Sequence, residues 1–131
     1  MKAIALALLA CAAPAWAQGE CPHSSEVTAQ HLFGRWRAEL EGRGPVGTLL
    51  LEQHELYSAS VSGTIDRDGQ RSKLAGDVED GEFTLEESAD GVHIAATWLG
   101  EVVEGSCGRE IRGTWKAERE EQAHPFVLRK E

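Results

Sequence analysis

From Phe33 onward the chain alternates between apolar and polar residues. Trp36, Ala38 and Leu40 alternate with Arg35, Arg37, Glu39 and Glu41, a period of two that a half-buried β-strand requires. Gly42-Arg43-Gly44-Pro45 reads as a turn, and Val46 to Glu52 as a second strand whose Leu49-Leu50-Leu51 run leaves its inward face open. Gln53 to Leu56 connects to the clearest strand. There Tyr57, Ala59, Val61, Gly63 and Ile65 alternate with Ser58, Ser60, Ser62, Thr64 and Asp66. Asp68-Gly69, Asp80-Gly81 and Asp90-Gly91 are three turn signals. They separate a strand with Leu74, Gly76 and Val78 on one face from a strand carrying Phe83 and Leu85, and that strand from a long one carrying Val92, Ile94, Ala96 and Trp98. Gly100 is expected as a bulge before Val102-Val103. After Gly105-Ser106-Cys107-Gly108, Ile111, Gly113, Trp115 and Ala117 form the inward set of a seventh strand. Phe126 and Leu128 mark an eighth, with Pro125 at its start, where no ladder donor is needed.

Eight short strands without a helical insert predict an all-β fold, an eight-stranded antiparallel up-and-down meander. Such a sheet must bury one face and protect its edges, and closing into a barrel does both. A two-sheet sandwich is the alternative. Ahead of the strands, Ser25 is expected as an N-cap with Glu26 in the first turn, and Glu26 to Leu32 as one or two helical turns with Val27, His31 and Leu32 on one face.

In an up-and-down meander successive turns alternate between ends. If strand one enters at a floor, the connections at Gln53–Leu56, Glu79–Gly81 and Gly105–Gly108 lie at that floor. Those at Gly42–Pro45, Arg67–Gln70, Ser88–Gly91 and Arg119–His124 lie at the opposite mouth. Cys107 and the segment carrying Cys21 therefore meet at the floor, and the helical turn is placed to close it.

The start of the 131-residue chain reads differently. Met1-Lys2, the apolar run Ala3 to Ala13 and Ala15-Trp16-Ala17 have the layout of a signal peptide, so residues 1–17 are expected to be removed and 18–131 to form one domain. Processing at Leu8-Leu9-Ala10-Cys11 to a lipid-anchored form is a rival reading. No other stretch has the length and apolarity of a membrane span. With Lys2 set aside from the 13 basic residues, 12 face 22 acidic ones, a mature net charge of −10. That charge repels phosphate backbones and argues against nucleic acid as a partner. Cys21 and Cys107 remain as an even pair, expected to bridge in an oxidising compartment, periplasmic or extracellular.

A helical turn followed by Gly34-Arg35-Trp36 at the opening of strand one resembles the G-x-W start of the calycin superfamily, which includes lipocalins and avidins. The resemblance implies that Trp36 packs near a closed floor beneath a basic residue from the end of the barrel, a part assigned to Arg129. The avidin biotin contacts do not map onto this sequence. The same opening, Leu32-Phe33-Gly34-Arg35-Trp36, is similar to the small periplasmic inhibitors of secreted metalloproteases, also eight-stranded barrels with one disulfide. In those proteins the N-terminal segment enters the protease cleft, whereas here Cys21 would tether it.

Catalytic and metal signals fall short of known constellations. Ser106-Cys107-Gly108 lacks a strand-to-helix elbow and a nearby base, so Cys107 is expected as a bridged residue in a turn. His23, His31, His54, His93 and His124 form no H-x-x-x-H pair, and with Cys21 bridged the floor set is poor for zinc. Asp66-Arg67-Asp68-Gly69 opens like a calcium loop but has Val78 and Asp77 near the place of the closing glutamate. Among the carboxylates, Glu87 alone shares the inward parity of Phe83 and Leu85 near the mouth. The strand is expected to have ended there, with Glu87 in water; burial would instead mark it as functional.

The expectation is a monomeric, exported, non-enzymatic barrel without cofactor or metal. Its interior would hold a small apolar ligand through Trp98, Trp115 and Trp36. The second reading is a periplasmic inhibitor or envelope interaction module with a filled core, acting on a protein target through its surface.

Overall fold

The computed structural model describes residues 21–131 and, ahead of them, only Ala3. The expected leader, its cleavage site and Cys11 lie outside the described residues. Eight antiparallel strands close into one up-and-down barrel in sequence order: β1 (Gly34–Leu40), β2 (Gly44–Gln53), β3 (Ser60–Arg67), β4 (Gln70–Glu79), β5 (Glu82–Ser88), β6 (Ala96–Val102), β7 (Glu110–Ala117) and β8 (His124–Lys130). The last strand pairs with the first, Ala38 beside Leu128, so no edge is left unpaired. The sandwich alternative is thereby set aside. Among the described residues no helix is long and apolar enough to cross a membrane.

Two features close the floor. A 3₁₀ turn (Ser24–Glu26) and a four-residue helix α1 (Ala29–Leu32) precede β1, and Val27, Ala29 and Leu32 are buried beneath the barrel. His31, expected on that face, points outward, and its Nδ1 accepts the Thr28 N–H at 2.9 Å. The helix begins after Thr28 rather than Ser25. The floor also carries the Cys21–Cys107 disulfide, with Cα atoms 4.6 Å apart, as the alternation of turns requires. Gly108 lies against the same plug: a Cβ there would sit 3.2 Å from a Val27 methyl.

Inward positions follow the alternation over most of the barrel, and Trp36, Ala38, Leu49, Val61, Ile65, Leu85, Trp98, Ile111 and Leu128 are fully buried. Two expected strand starts are corrected. Tyr57 and Ala59 lie outside β3, with Tyr57 63 % exposed, because His54 Nδ1 accepts the N–H groups of Leu56 and Tyr57 at 3.1 and 3.3 Å and Ser60 turns back to the Tyr57 carbonyl. Val92 and Ile94 were expected to face inward, but Val92 is 79 % exposed and β6 starts only at Ala96. There Asp90 Oδ1 accepts the N–H groups of Val92 and His93, both at 2.8 Å. In both segments a local side chain satisfies donors that a ladder would otherwise need.

The expected bulge at Gly100 is absent, since its pairing runs unbroken between Phe83 and Gly113. The register shift lies instead between Ala38 and Glu39, opposite Gly47 and Pro45, leaving Val46 as the extra residue. Gly100 has a packing role: a Cβ there would come within 2.9 Å of the Phe126 ring.

Candidate functional site at the barrel mouth

The inward row of β5 runs Phe83, Leu85, Glu87, and the last of these remains inside. Glu87 is 3 % exposed and is the single buried charged residue among those described. Leaving a carboxylate in such a place without partners would cost several kcal/mol. Four donors offset that cost. Oε1 accepts Trp98 Nε1 at 2.6 Å, Trp115 Nε1 at 3.0 Å and Arg67 Nη2 at 2.6 Å, while Oε2 accepts Arg67 Nη1 at 2.8 Å. The Arg67–Glu87 contact is bidentate, the geometry a planar guanidinium favours.

The three donor residues arrive from three different strands. Trp98 and Trp115 are direct cross-strand partners on β6 and β7. Their rings meet edge-on with centroids 6.4 Å apart, and Trp98 also meets Phe126 edge-on at 4.9 Å. Arg67 ends β3, and its guanidinium carbon sits 5.7 Å from the Trp115 ring centroid. His124 flanks the far side of Trp115, with centroids 6.1 Å apart. The cluster thus joins β3, β5, β6 and β7 at the mouth, with Trp98 beneath it and the half-buried Trp115 and Arg67 facing out.

The arrangement constrains the chemistry available. Oε1 accepts three N–H donors and Oε2 one, so both carboxylate oxygens are engaged within the cluster. The cluster is built to fix two indoles and one guanidinium in place. Among the described residues no buried side-chain nitrogen or oxygen lacks a partner. Nor do three His, Cys, Asp or Glu side chains of the described residues gather as a metal site would require.

The three tryptophans singled out from the sequence do not share one place. Trp98 and Trp115 meet at the mouth, whereas Trp36 lies near the floor and donates its indole N–H to the Leu32 carbonyl at 2.8 Å. Open grooves indent the surface of the described residues, and neither Trp36 nor Trp98 lines the three best formed of them. Trp115 lines one, a groove of about 960 Å³ that runs from the mouth, past Arg43 and Arg67, onto the outer face of β1–β3.

Arg129 does not cover Trp36. It faces outward and donates to Glu39 at 3.1 Å and to Glu110 at 3.2 Å. Lys130, one position on and directly opposite Trp36, takes the inward place, and its Nζ donates to the His31 carbonyl at 2.8 Å. Burial and the neighbouring Arg109 both lower the Lys130 pKa. Arg67 was assigned to a turn, although it continues the inward row Val61, Gly63, Ile65; extending that alternation by one step finds it.

No protein-family model matches the chain, and the search of curated proteins returns no match.

Proposed function

We propose that this chain is an exported, non-catalytic, calycin-like barrel that acts through its mouth and outer surface as an envelope interaction or inhibitor module. The observation that carries this reading is that the interior is closed to solvent. Residues from Trp36 near the floor to Trp98 near the mouth are fully buried, and the Arg67–Glu87 pair caps them. A small eight-stranded barrel can be filled by its own side chains in this way. The calycin-like assignment is supported by the floor: a G-x-W tryptophan bonded to the preceding helical turn, with Lys130 beside it. Export is supported by the signal-like leader in the sequence and by the disulfide.

The N-terminal segment is bound to the floor, away from this contact surface. Beyond the disulfide, Glu104 accepts the Ser24 N–H at 2.9 Å and lies 3.1 Å from the His23 ring nitrogen, pinning this segment to the floor. The mouth, with Arg67, Trp115 and Arg43, presents the polar and aromatic groups that contact surfaces favour.

Titration with an apolar fluorescent probe separates this reading from a ligand-enclosing barrel. A packed interior gives no saturable quenching of tryptophan emission. Saturable quenching in the wild type that disappears in Trp98→Ala would overturn the proposal. Inhibition assays against secreted metalloproteases and lysozyme supply the positive arm, with any inhibition expected to weaken in Trp115→Ala.

A further inference from the structure

Five of the chain's nine arginines line one groove, the one that begins at Trp115. Arg35 and Arg37 project from β1 on one side and Arg71 from β4 on the other, with the Pro45 to Leu50 stretch of β2 between them. Arg37, Thr48, Asp66 and Arg71 are successive cross-strand partners, so the two walls stand three strand spacings apart, about 14 Å. Along β2, Pro45 to Leu50 covers about 17 Å. Arg43 enters from the β1–β2 turn at the mouth end, where Arg67 and Trp115 also line the groove.

These arginines are short of partners although the chain has 22 acidic residues. Among the described residues Arg35 and Arg43 make no ion pair. Arg37 and Arg71 each engage only Nε, with Glu131 at 3.7 Å and Asp66 at 3.3 Å, in exposed pairs that leave the guanidinium ends open. Arg67 alone is fully committed, by its bidentate contact with Glu87. On β7 and β8, by contrast, Arg112 and Arg129 share the Glu110 carboxylate. Four open guanidinium forks thus face the groove against two aspartates, and one of these, Asp66, already accepts the Gly69 N–H and Arg71 Nε. The lining is not purely ionic. Leu50, 37 % exposed, lies between the walls, and the half-buried Trp115 stands at the mouth end.

We infer that this groove takes a short acidic segment of a partner protein, about six residues in extended form, with carboxylates alternating with apolar side chains. The inference rests on the proposed role of the outer surface as the contact surface, and names the chemistry of what it contacts. Guanidinium forks hold carboxylates through paired parallel hydrogen bonds, and clusters of them are a recurrent means of reading acidic motifs. Six extended residues match the length along β2, and one extended chain fits between walls about 14 Å apart. The apolar part of the lining decides against a purely ionic ligand, because Leu50 and Trp115 gain burial only from a partner with apolar groups. Charge limits the length. Glu52 follows Leu50 by two residues on the same outward face of β2, about 7 Å beyond it, and Asp68 lies at the mouth end. A long, evenly charged polymer such as a sulfated polysaccharide would run onto both, on a chain whose net charge already repels it.

Fluorescence anisotropy of a dye-labelled hexapeptide of alternating glutamate and leucine, titrated with the disulfide-bonded chain, tests the inference. At about 50 mM salt the peptide should bind with Kd in about the 10–100 μM range, weakened about tenfold at about 500 mM. Arg37→Glu and Arg71→Glu should each weaken it at least about fivefold, and Arg112→Glu, an equal change of charge on β7, less than about twofold. Leu50→Ala should weaken this peptide about threefold, whereas hexaglutamate should bind more weakly and be indifferent to that change. Circular dichroism and melting verify the fold of each variant, and Arg43→Glu, in the exposed turn, replaces either arginine variant that fails this check. The inference is overturned by no binding at about 1 mM, by equal binding of a peptide with lysine in place of glutamate, or by equal loss in Arg112→Glu. Indifference of the mixed peptide to Leu50→Ala, or tighter binding of a sulfated hexasaccharide, overturns it as well. The proposed function fails separately: saturable quenching by the apolar probe overturns that reading whether or not the peptide binds, whereas inhibition of a protease or lysozyme without peptide binding overturns the groove alone.

Discussion

Glu87 shows how one inward carboxylate can fix the geometry of a whole barrel end. Its charge is tolerable only because Arg67 and two indoles face it, so the contributions should not be additive. Arg67→Ala is expected to lower stability by about 2–3 kcal/mol, less than for a wholly buried pair because Arg67 keeps 31 % of its side chain exposed. Replacing the pair together, Arg67→Met with Glu87→Gln, should cost less than Arg67→Ala alone, since no charge is then stranded and the amide oxygen still accepts the indole N–H groups. Urea midpoints of the two variants check the order; the reverse order would show that the pair itself, not its disruption, supplies the stability. Parity made Glu87 visible in the sequence, because a charged residue in an apolar row is conspicuous. Its partners were not visible as a set, since the bonds join four strands and alternation says nothing about which rotamers converge. The inward glycines were similarly half legible. Alternation places them on the inner face as small residues, but they mark close backbone approach: a Cβ on Gly113 would lie 1.9 Å from the Leu99 carbonyl oxygen. Gly113→Ala should therefore destabilise by more than about 3 kcal/mol, read from the same unfolding curves, although alanine is merely a small residue facing inward.

At the level of elements, period and turn residues located all eight strands, and the errors sit where side chains compete with the ladder. His54 and Asp90 each take two backbone N–H groups, and each delays the strand that the apolar pattern would have started earlier. Alternation cannot register such competition, because Tyr57, Val92 and Ile94 keep the correct spacing while facing solvent. The N-terminal turns pose the opposite case: their apolar residues were readable, but their anchor, Glu104, was not. The Ser24 hydroxyl and N–H, followed by the His23 ring, hold the Glu104 carboxyl at about 2. Glu104 in turn raises the His23 pKa. A depressed carboxyl contributes its attachment fully above the ordinary value of 4.5, and loses it as pH falls through about 2. A raised histidine contributes below its ordinary 6.5 and loses its share as pH rises through the raised value. The clamp should thus be tightest between 4.5 and 6.5. Amide exchange at Ser24, followed against pH, should be slowest relative to its intrinsic rate in that window. In Glu104→Gln, protection should be lower there and should no longer change with the protonation of these two groups.

For the whole molecule, the disulfide and the closed sheet are two separate solutions to the problem of ordering a short chain. The sheet is closed by β1–β8 pairing, which needs no covalent help. The bridge instead ties an element that makes few strand contacts, the turn-and-helix plug, to the β6–β7 connection 86 residues away. A loop of that length carries roughly 4–5 kcal/mol of chain entropy, an upper bound when strain and residual denatured structure are counted. Both cysteines were legible as partners because alternating turns brought them to one end before any geometry was known. The same count could not say whether the bridge holds the barrel or only its floor. The buried plug residues Val27, Ala29 and Leu32 decide it: they complete the core from below, so loss of the bridge loosens them without unpairing a strand. Cys21→Ser with Cys107→Ser is therefore expected to lower global stability by about 2–4 kcal/mol in urea while leaving a folded β-sheet spectrum. Hydrogen exchange should show the added opening concentrated in residues 21–33 and around Gly108, with β1–β5 protected up to the lowered global limit. Uniform loss of protection across all eight strands would instead make the bridge a condition of barrel closure.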